Sequence, residues 1–207
     1  AMYKETITGK KGERIELNLQ VAGSFPEEGK AVITVNTSQA VNFSLALRVP
    51  EWCSSFTATI GGKAFKEINN QQMVIERSWK SGDQIHVSFE MPVRVQEGGK
   101  SYPGQIAFKR GPQVLALDSM LNVDALKNYS LNPVQKIVIS QPEVKAFKDV
   151  LPENWIGQQV FTIGIADKAN NDRKQQWLLV PFADASQTGG GMKVWLPLEL
   201  YKQKNTN

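Results

Sequence analysis

The sequence has few of the residues that most often carry enzyme chemistry. Its 207 residues include one cysteine, Cys53, and one histidine, His86. A lone cysteine cannot form a disulfide within the chain, and a metal centre needs several clustered ligands. A Ser-His-Asp triad would depend on His86 alone. We therefore expect no catalytic residue, metal or cofactor in this chain, with His86 on a strand surface and Cys53 packed at a strand end.

Long apolar runs and clustered charges are also missing. No stretch approaches the roughly 18 consecutive apolar residues of a membrane span, and the N-terminus lacks the apolar segment of a signal peptide. Lys plus Arg number 24 against 20 Asp plus Glu, and the net charge of +4 is scattered. A nucleic-acid-binding protein concentrates its basic residues. We expect neither a membrane nor a nucleic-acid partner, and we interpret Ala1 before Met2 as a cloning remnant, so that the natural protein extends upstream.

Alternation of apolar and polar residues dominates the pattern that is present. Residues 41–49 carry an apolar side chain at every second position, which predicts a half-buried strand. The same alternation recurs along the chain, and Gly61-Gly62 and Ser81-Gly82-Asp83 supply turns between such segments. Short strands separated by turn residues at this spacing are typical of a β-sandwich. The sequence predicts an all-β, antiparallel and jelly-roll-like sandwich built from two packed β units.

The pattern changes character after Asp118. Residues 119–135 are rich in Asn, Asp and Ser with weak helical spacing, and they predict a connector with one helical turn. Strand-like segments then resume and continue to about residue 198. We predict a first β-sandwich unit at 1–118 and a second, smaller β unit at 119–207. The last strand could return to pair with the first unit.

Carboxylates and aromatic rings are the remaining candidates for chemistry. Glu51, Asp83 and Asp184 lie in turn-like contexts, where such side chains usually bond the backbone and shape the loop. Sugar rings stack their C–H faces on exposed aromatic rings, so a binding module shows such a platform. Trp155, in a Pro-containing loop, is the best-placed candidate for carbohydrate contact, and Trp52 is the second. Other tryptophans, Trp195 among them, are set among apolar strand residues and are expected in the core or the interdomain seam.

Seven short motifs, in order across nearly the whole chain, resemble the beta-L-arabinofuranosidase-like proteins of glycoside hydrolase family 127. They are Tyr3, Ser24-Phe25-Pro26-Glu27-Glu28-Gly29, Arg48-Val49-Pro50-Glu51-Trp52, Trp79-Lys80-Ser81-Gly82-Asp83, Arg110-Gly111-Pro112, Leu179-Val180-Pro181-Phe182 and Val194-Trp195-Leu196. Each motif also suits a turn or strand end, so their order and spacing carry the resemblance.

The resemblance implies a position after the catalytic (α/α)6 barrel of such an enzyme. The family's cysteine nucleophile and its zinc ion, held by cysteines and a glutamate, belong to that barrel, and no segment here matches them. No catalytic role therefore passes to Cys53. The resemblance also implies a bacterial enzyme of carbohydrate metabolism that acts on plant-type glycans such as arabinofuranosides, in the periplasm or outside the cell.

Two hypotheses from different classes follow. In the first, the chain is a non-catalytic accessory region that supports the missing catalytic barrel and exposes an apolar patch where the barrel docks. In the alternative, it is an independent carbohydrate-binding module that uses an exposed Trp. A free-standing hydrolase would need two carboxylates facing each other across a cleft.

Overall fold

The computed structural model describes residues 1–9, 12–124, 136–139, 143–145, 151–157, 159–167, 173–197 and 199–200. The chain divides into two compact units, Ala1–Pro92 and Val93–Asn207. In the described part of the chain, no helix is long and apolar enough to cross a lipid bilayer.

Two antiparallel sheets make up the first unit. Its six-stranded sheet has the order β1-β2-β3-β8-β5-β6, and β4 pairs with β7 in a two-stranded sheet. The strand bounds are β1 Met2–Thr8, β2 Arg14–Ala22, β3 Lys30–Thr37, β4 Val41–Arg48, β5 Phe56–Ile60, β6 Lys63–Phe65, β7 Gln72–Trp79 and β8 Asp83–Phe89.

The apolar residues that alternate along these strands form the core between the two sheets. Ile75 and Trp79 from β7 pack in one cluster with Val35 from β3 and Ile85 from β8, and all four are fully buried. The indole N–H of Trp79 donates to the carbonyl oxygen of Phe43 at 3.0 Å, which satisfies its only polar group. The predicted all-β antiparallel sandwich is thus confirmed, while the finer jelly-roll assignment stays a prediction.

The two-stranded sheet does not cover the whole six-stranded sheet. In the β1–β2 register, Tyr3 lies opposite Leu19 and Ile7 lies opposite Ile15, so these four residues share the core-facing side. Ile15 is 1% exposed, yet Tyr3 on the same face is 62% exposed. The face of the sheet that forms the core therefore continues past the edge of the covering sheet and is open at β1.

The second unit has one large sheet of nine strands. Its main order is β17-β12-β14-β15-β11-β10-β9, with β13 on β14 and β16 on β11. The bounds are β9 Val93–Glu97, β10 Ile106–Arg110, β11 Gln113–Asp118, β12 Lys136–Ile139, β13 Glu143–Lys145, β14 Val160–Asp167, β15 Arg173–Pro181, β16 Met192–Lys193 and β17 Glu199–Leu200, and a 3-10 turn spans Phe182–Asp184.

The centre of this sheet is buried on both faces. Trp177 and Leu179 of β15 are fully buried in a cluster with Phe108 and Phe161, and the next residue, Val180, which points to the opposite face, is also fully buried. Consecutive buried residues explain why the alternation is less clear here than in the first unit.

The division between the units lies at Pro92–Val93, whereas the sequence pattern suggested one near residue 118. The physical reason is strand pairing. β10 and β11 form a hairpin, and β11 then pairs with β15, so both strands belong to the sheet of the second unit. β17 pairs with β12, inside that same sheet. Most of the predicted connector, residues 125–135, lies outside the described residues.

Candidate functional site

Trp52, one of the two predicted carbohydrate contacts, lies in an aromatic cluster of the first unit. Its ring stacks on Phe25 with centroids 6.2 Å apart and lies 5.9 Å from the ring of Phe89. Phe89 in turn stacks at 6.0 Å on Phe56, which is 8% exposed and part of the core. The cluster therefore closes one end of the core, and it is Phe25, 49% exposed, that presents ring surface to solvent.

Trp155, the other predicted contact, is half-buried in the loop 151–157. Its indole N–H is buried, with no hydrogen-bond partner in the described part of the chain. The neighbouring Ile156 is 85% exposed, and its backbone N–H donates to the side-chain oxygen of Gln187 at 2.9 Å. This bond ties the loop to the segment that follows β15. The role of Trp155 in carbohydrate contact stays a prediction.

A second exposed aromatic pair was missed from the sequence. Tyr102 stacks on Trp195 with ring centroids 4.6 Å apart and planes 13° from parallel. Tyr102 is 43% exposed and Trp195 is half-buried, so Trp195 is not a buried core residue like Trp177. The available signal was an aromatic residue in the turn-forming segment Tyr102-Pro103-Gly104.

His86 lies on the solvent-facing side of β8, as expected for a strand-surface histidine. It lines a shallow groove of about 390 Å³ together with Lys30 of β3 and Thr59 of β5. The groove is lined by small apolar and polar side chains, and no Phe, Tyr or Trp is among its lining residues.

Cys53 is half-buried, and its thiol donates to the carbonyl oxygen of Ser55 at 2.9 Å. Within the described ranges, no group of three or more His, Cys, Asp or Glu side chains could hold a metal ion. The described residues therefore offer no counterpart of the cysteine-and-glutamate zinc site that the resemblance assigns to the barrel.

The turn carboxylates differ in what they contact. Asp83 accepts a hydrogen bond from the backbone N–H of Lys80 at 2.9 Å and lies 3.5 Å from the guanidinium of Arg77. Glu51 accepts from the side-chain amide of Gln71 at 3.3 Å. Asp83 thus bonds the backbone of its own turn, as expected, whereas the described bond of Glu51 goes to a side chain 20 residues away. Asp184 lies so close to Gly157 that a Cβ added there would come within 2.5 Å of its Oδ2.

A buried polar network in the second unit gave no signal in the sequence. Asp118 is fully buried, and its carboxylate accepts from the backbone N–H groups of Met120 at 2.8 Å and Ser186 at 2.7 Å. Asn122, 3% exposed, uses its amide to bond the carbonyl oxygen of Asp118 and both backbone groups of Leu178. The network fixes two loops to β15.

Arg110, in the Arg-Gly-Pro motif, is also buried. Its guanidinium lies 5.5 Å from the ring centre of Phe161 and donates to the side-chain oxygen of Gln113 at 3.2 Å. Burial lowers the pKa of Arg110. A guanidinium stays charged even so, and its packing against an aromatic face is a structural use of arginine.

An apolar groove opens beside the uncovered part of the first unit. It has a volume of about 630 Å³ and lies between the β1–β2 side of the six-stranded sheet and the start of β4. Ile7, Ile15, Val41 and Phe43 supply its apolar lining. Gln39 closes part of the rim through a 3.3 Å hydrogen bond to Glu13.

Comparison with known proteins gives a family match for the first unit. Residues 2–91, nearly the whole first unit, match the family model of the beta-L-arabinofuranosidase GH127 middle domain. No curated protein matches the chain.

Solved structures match both units. Ara127N-Se, a GH127 beta-L-arabinofuranosidase from Geobacillus stearothermophilus T6, superposes with a TM-score of 0.70 at 23% identity over 96% of this chain. A second GH127 beta-arabinofuranosidase gives a TM-score of 0.69 at 20% identity over 95% of this chain. The chain spans about a third of these proteins, 32% and 33% of their respective lengths. The likeness establishes a shared fold.

Proposed function

We propose that this chain is the non-catalytic accessory β-sandwich region of a glycoside hydrolase family 127-like enzyme, positioned after a catalytic barrel in the same protein. The enzyme would act on plant-type glycans, with arabinofuranosides as the substrate class. The chain itself would supply no catalytic group, metal ligand or cofactor contact. Its work would be to pack against the barrel and hold it in shape.

The open core face at β1 is the observation that carries the proposal. The face that buries Ile15 on β2 leaves Tyr3 62% exposed on β1, where Glu5 lies on the same face opposite Leu17. An uncovered continuation of a core face is typical of a surface that another body covers. The apolar groove lined by Ile7 and Phe43 lies beside it. Burying an aromatic side chain of this kind is worth about 2–3 kcal/mol.

The comparisons support the proposal from another direction. The match over residues 2–91 is to a middle domain, a term that implies flanking segments. The solved relatives carry about two thirds of their length outside the part that this chain covers.

The test begins with the gene upstream of the codon for Met2, where we expect an open reading frame for a barrel. Tyr3→Asp is then made in that full-length protein and in the 207-residue chain. Because Tyr3 is largely exposed in the chain by itself, Tyr3→Asp should leave its melting temperature within about 1 °C. In the full-length protein the same change buries a charge and should lower the melting temperature by several degrees, about 2–4 °C per kcal/mol.

Lys4→Asp is the matched control, since Lys4 is the exposed neighbour on the opposite face of β1. It should have little effect in either protein. An upstream frame without a barrel, or equal effects of Tyr3→Asp in both proteins, would refute the proposal.

A further inference from the structure

Tyr102 and Trp195 form a stacked aromatic pair in the second unit, whereas the face assigned to the barrel belongs to the first unit. The two rings are nearly parallel at 4.6 Å, so one face of Trp195 is covered by Tyr102. The outer ring, Tyr102, is 43% exposed. Stacking of this kind fixes the orientation of both rings without a bound partner.

The backbone beneath the pair is held by a closed set of hydrogen bonds. In the loop between β9 and β10, the N–H of Gly98 donates to Gln105 at 2.8 Å, and that of Tyr102 donates to Gly98 at 3.1 Å. A Cβ added to Gly98 would collide with the carbonyl oxygen of Tyr102, so the loop closes tightly on itself. Because the loop is already ordered in the free chain, ligand binding costs less conformational entropy.

Trp195 is anchored to the same strand. Its neighbour Leu196 exchanges two backbone hydrogen bonds with Ile106, at 2.8 and 2.9 Å, and is 1% exposed. Ile106 begins β10, directly after the loop that carries Tyr102. Both rings are therefore attached to one rigid point of the sheet.

The surroundings of the exposed ring are polar. Glu97, Lys100 and Ser101 belong to the same loop or the strand end before it, and all three are exposed. The surface is one open ring face, with hydroxyl, amine and carboxylate groups near it in the chain. Its area is too small for a protein interface. It matches a single sugar ring, which offers a C–H face for stacking and hydroxyls for hydrogen bonds.

We infer that Tyr102, backed by Trp195, is a stacking platform for one ring of a neutral oligosaccharide. The choice of sugars as the ligand class rests in part on the proposed function. The position is new relative to Trp155 and Trp52, whose rings are half-buried in contacts with the protein.

The experiment is a titration of the ¹⁵N-labelled chain with neutral oligosaccharides, following its five Trp side-chain N–H signals. Xylo-, cello- and arabino-oligosaccharides are added to about 10 mM, which detects dissociation constants near 1 mM. Trp195→Phe identifies the Trp195 signal. We expect that signal to move and saturate with at least one sugar. Tyr102→Ala should weaken binding about tenfold or more, the size of an anchor truncation.

Two further variants guard against loss of fold. Tyr102→Phe keeps the ring and should bind like the parent chain, whereas Tyr102→Leu keeps an apolar contact without the ring and should bind as weakly as Tyr102→Ala. Phe25→Ala is the matched control, because Phe25 is a similarly exposed ring, 49%, that also stacks on a Trp. It should leave sugar binding unchanged.

The inference is overturned if no sugar moves the Trp195 signal, if Tyr102→Leu binds like the parent chain, or if a proline-rich peptide binds here and sugars do not. None of these results decides the proposed function, which depends on the upstream gene and on Tyr3. Binding of xylo- or cello-oligosaccharide alone would support the platform and point its specificity away from arabinose.

Discussion

Asn122 offers the sharpest test of how the second unit is held together. Its side-chain amide donates to the carbonyl oxygens of Asp118 at 2.7 Å and Leu178 at 2.9 Å, and its oxygen accepts from the N–H of Leu178 at 2.8 Å. β11 pairs with β15 only from Leu179 onward, so the amide takes over the backbone groups of Leu178 where β11 ends. The side chain of Asn122 thus replaces the backbone hydrogen bonds that one more residue of β11 would make with β15.

Asn122→Ala removes these three hydrogen bonds and leaves buried backbone groups without partners. A neutral hydrogen bond contributes about 0.5–1.5 kcal/mol net, and a buried group left unpaired costs about 1–3 kcal/mol. We expect the free energy of unfolding of the second unit to fall by about 3–4 kcal/mol. With a urea slope of about 1–3 kcal/mol per M, its midpoint should fall by about 1–4 M.

The assay is urea unfolding by circular dichroism, with hydrogen exchange to locate the change. Peptides from β11 and β15 should lose protection, and those from β4 and β7 should not, because they belong to the first unit. Asn42→Ala is the control, since Asn42 is exposed on β4. A midpoint shift no larger than that of Asn42→Ala would refute the reasoning, as would equal loss of protection in both units.

Two other substitutions test the first unit. Asn18 of β2 has a buried side-chain oxygen with no partner in the described part of the chain, so Asn18→Val should raise stability by about 1 kcal/mol, measured by thermal melting; a lower melting temperature would contradict this. Gly82→Ala should lower the free energy of unfolding by about 1 kcal/mol, because Gly82 has a positive φ of 88° but open space around it. Gly29→Ala should lower it by well over that amount, because the added Cβ would collide with the carbonyl oxygen of Phe89. Equal costs at the two glycines would show that the contact with Phe89 relaxes.

The first unit was the more predictable from sequence because its strands alternate. The pattern over residues 41–49 became β4, Val41–Arg48, and Gly61-Gly62 became a hairpin turn with φ values of 53° and 82°. Both depend on neighbouring residues, which a sequence displays directly. The number of strands that cover the six-stranded sheet depends on pairing between residues far apart in the chain. Nothing in the sequence near β1 indicated that Tyr3 would be exposed.

The second unit and the candidate site were harder for the same reason. Strands buried on both faces lose their alternation, which hid the membership of β10 and β11 in the second sheet. Tyr102 and Trp195 are far apart in the chain, so their stacking could not be inferred from spacing. Trp155 was correctly placed in a loop, but the burial of its indole N–H depends on contacts that no local pattern encodes.

β1 ends the six-stranded sheet, so one side of a seven-residue strand offers its backbone N–H and C=O groups to any strand that approaches. Such edges nucleate aggregation unless the sequence guards them. Lys4 and Glu5, both exposed, place a charge on each face of β1. A second copy that docked here would have to desolvate both charges. Through these two charges, ordinary surface residues act against edge-to-edge pairing of this chain in concentrated samples.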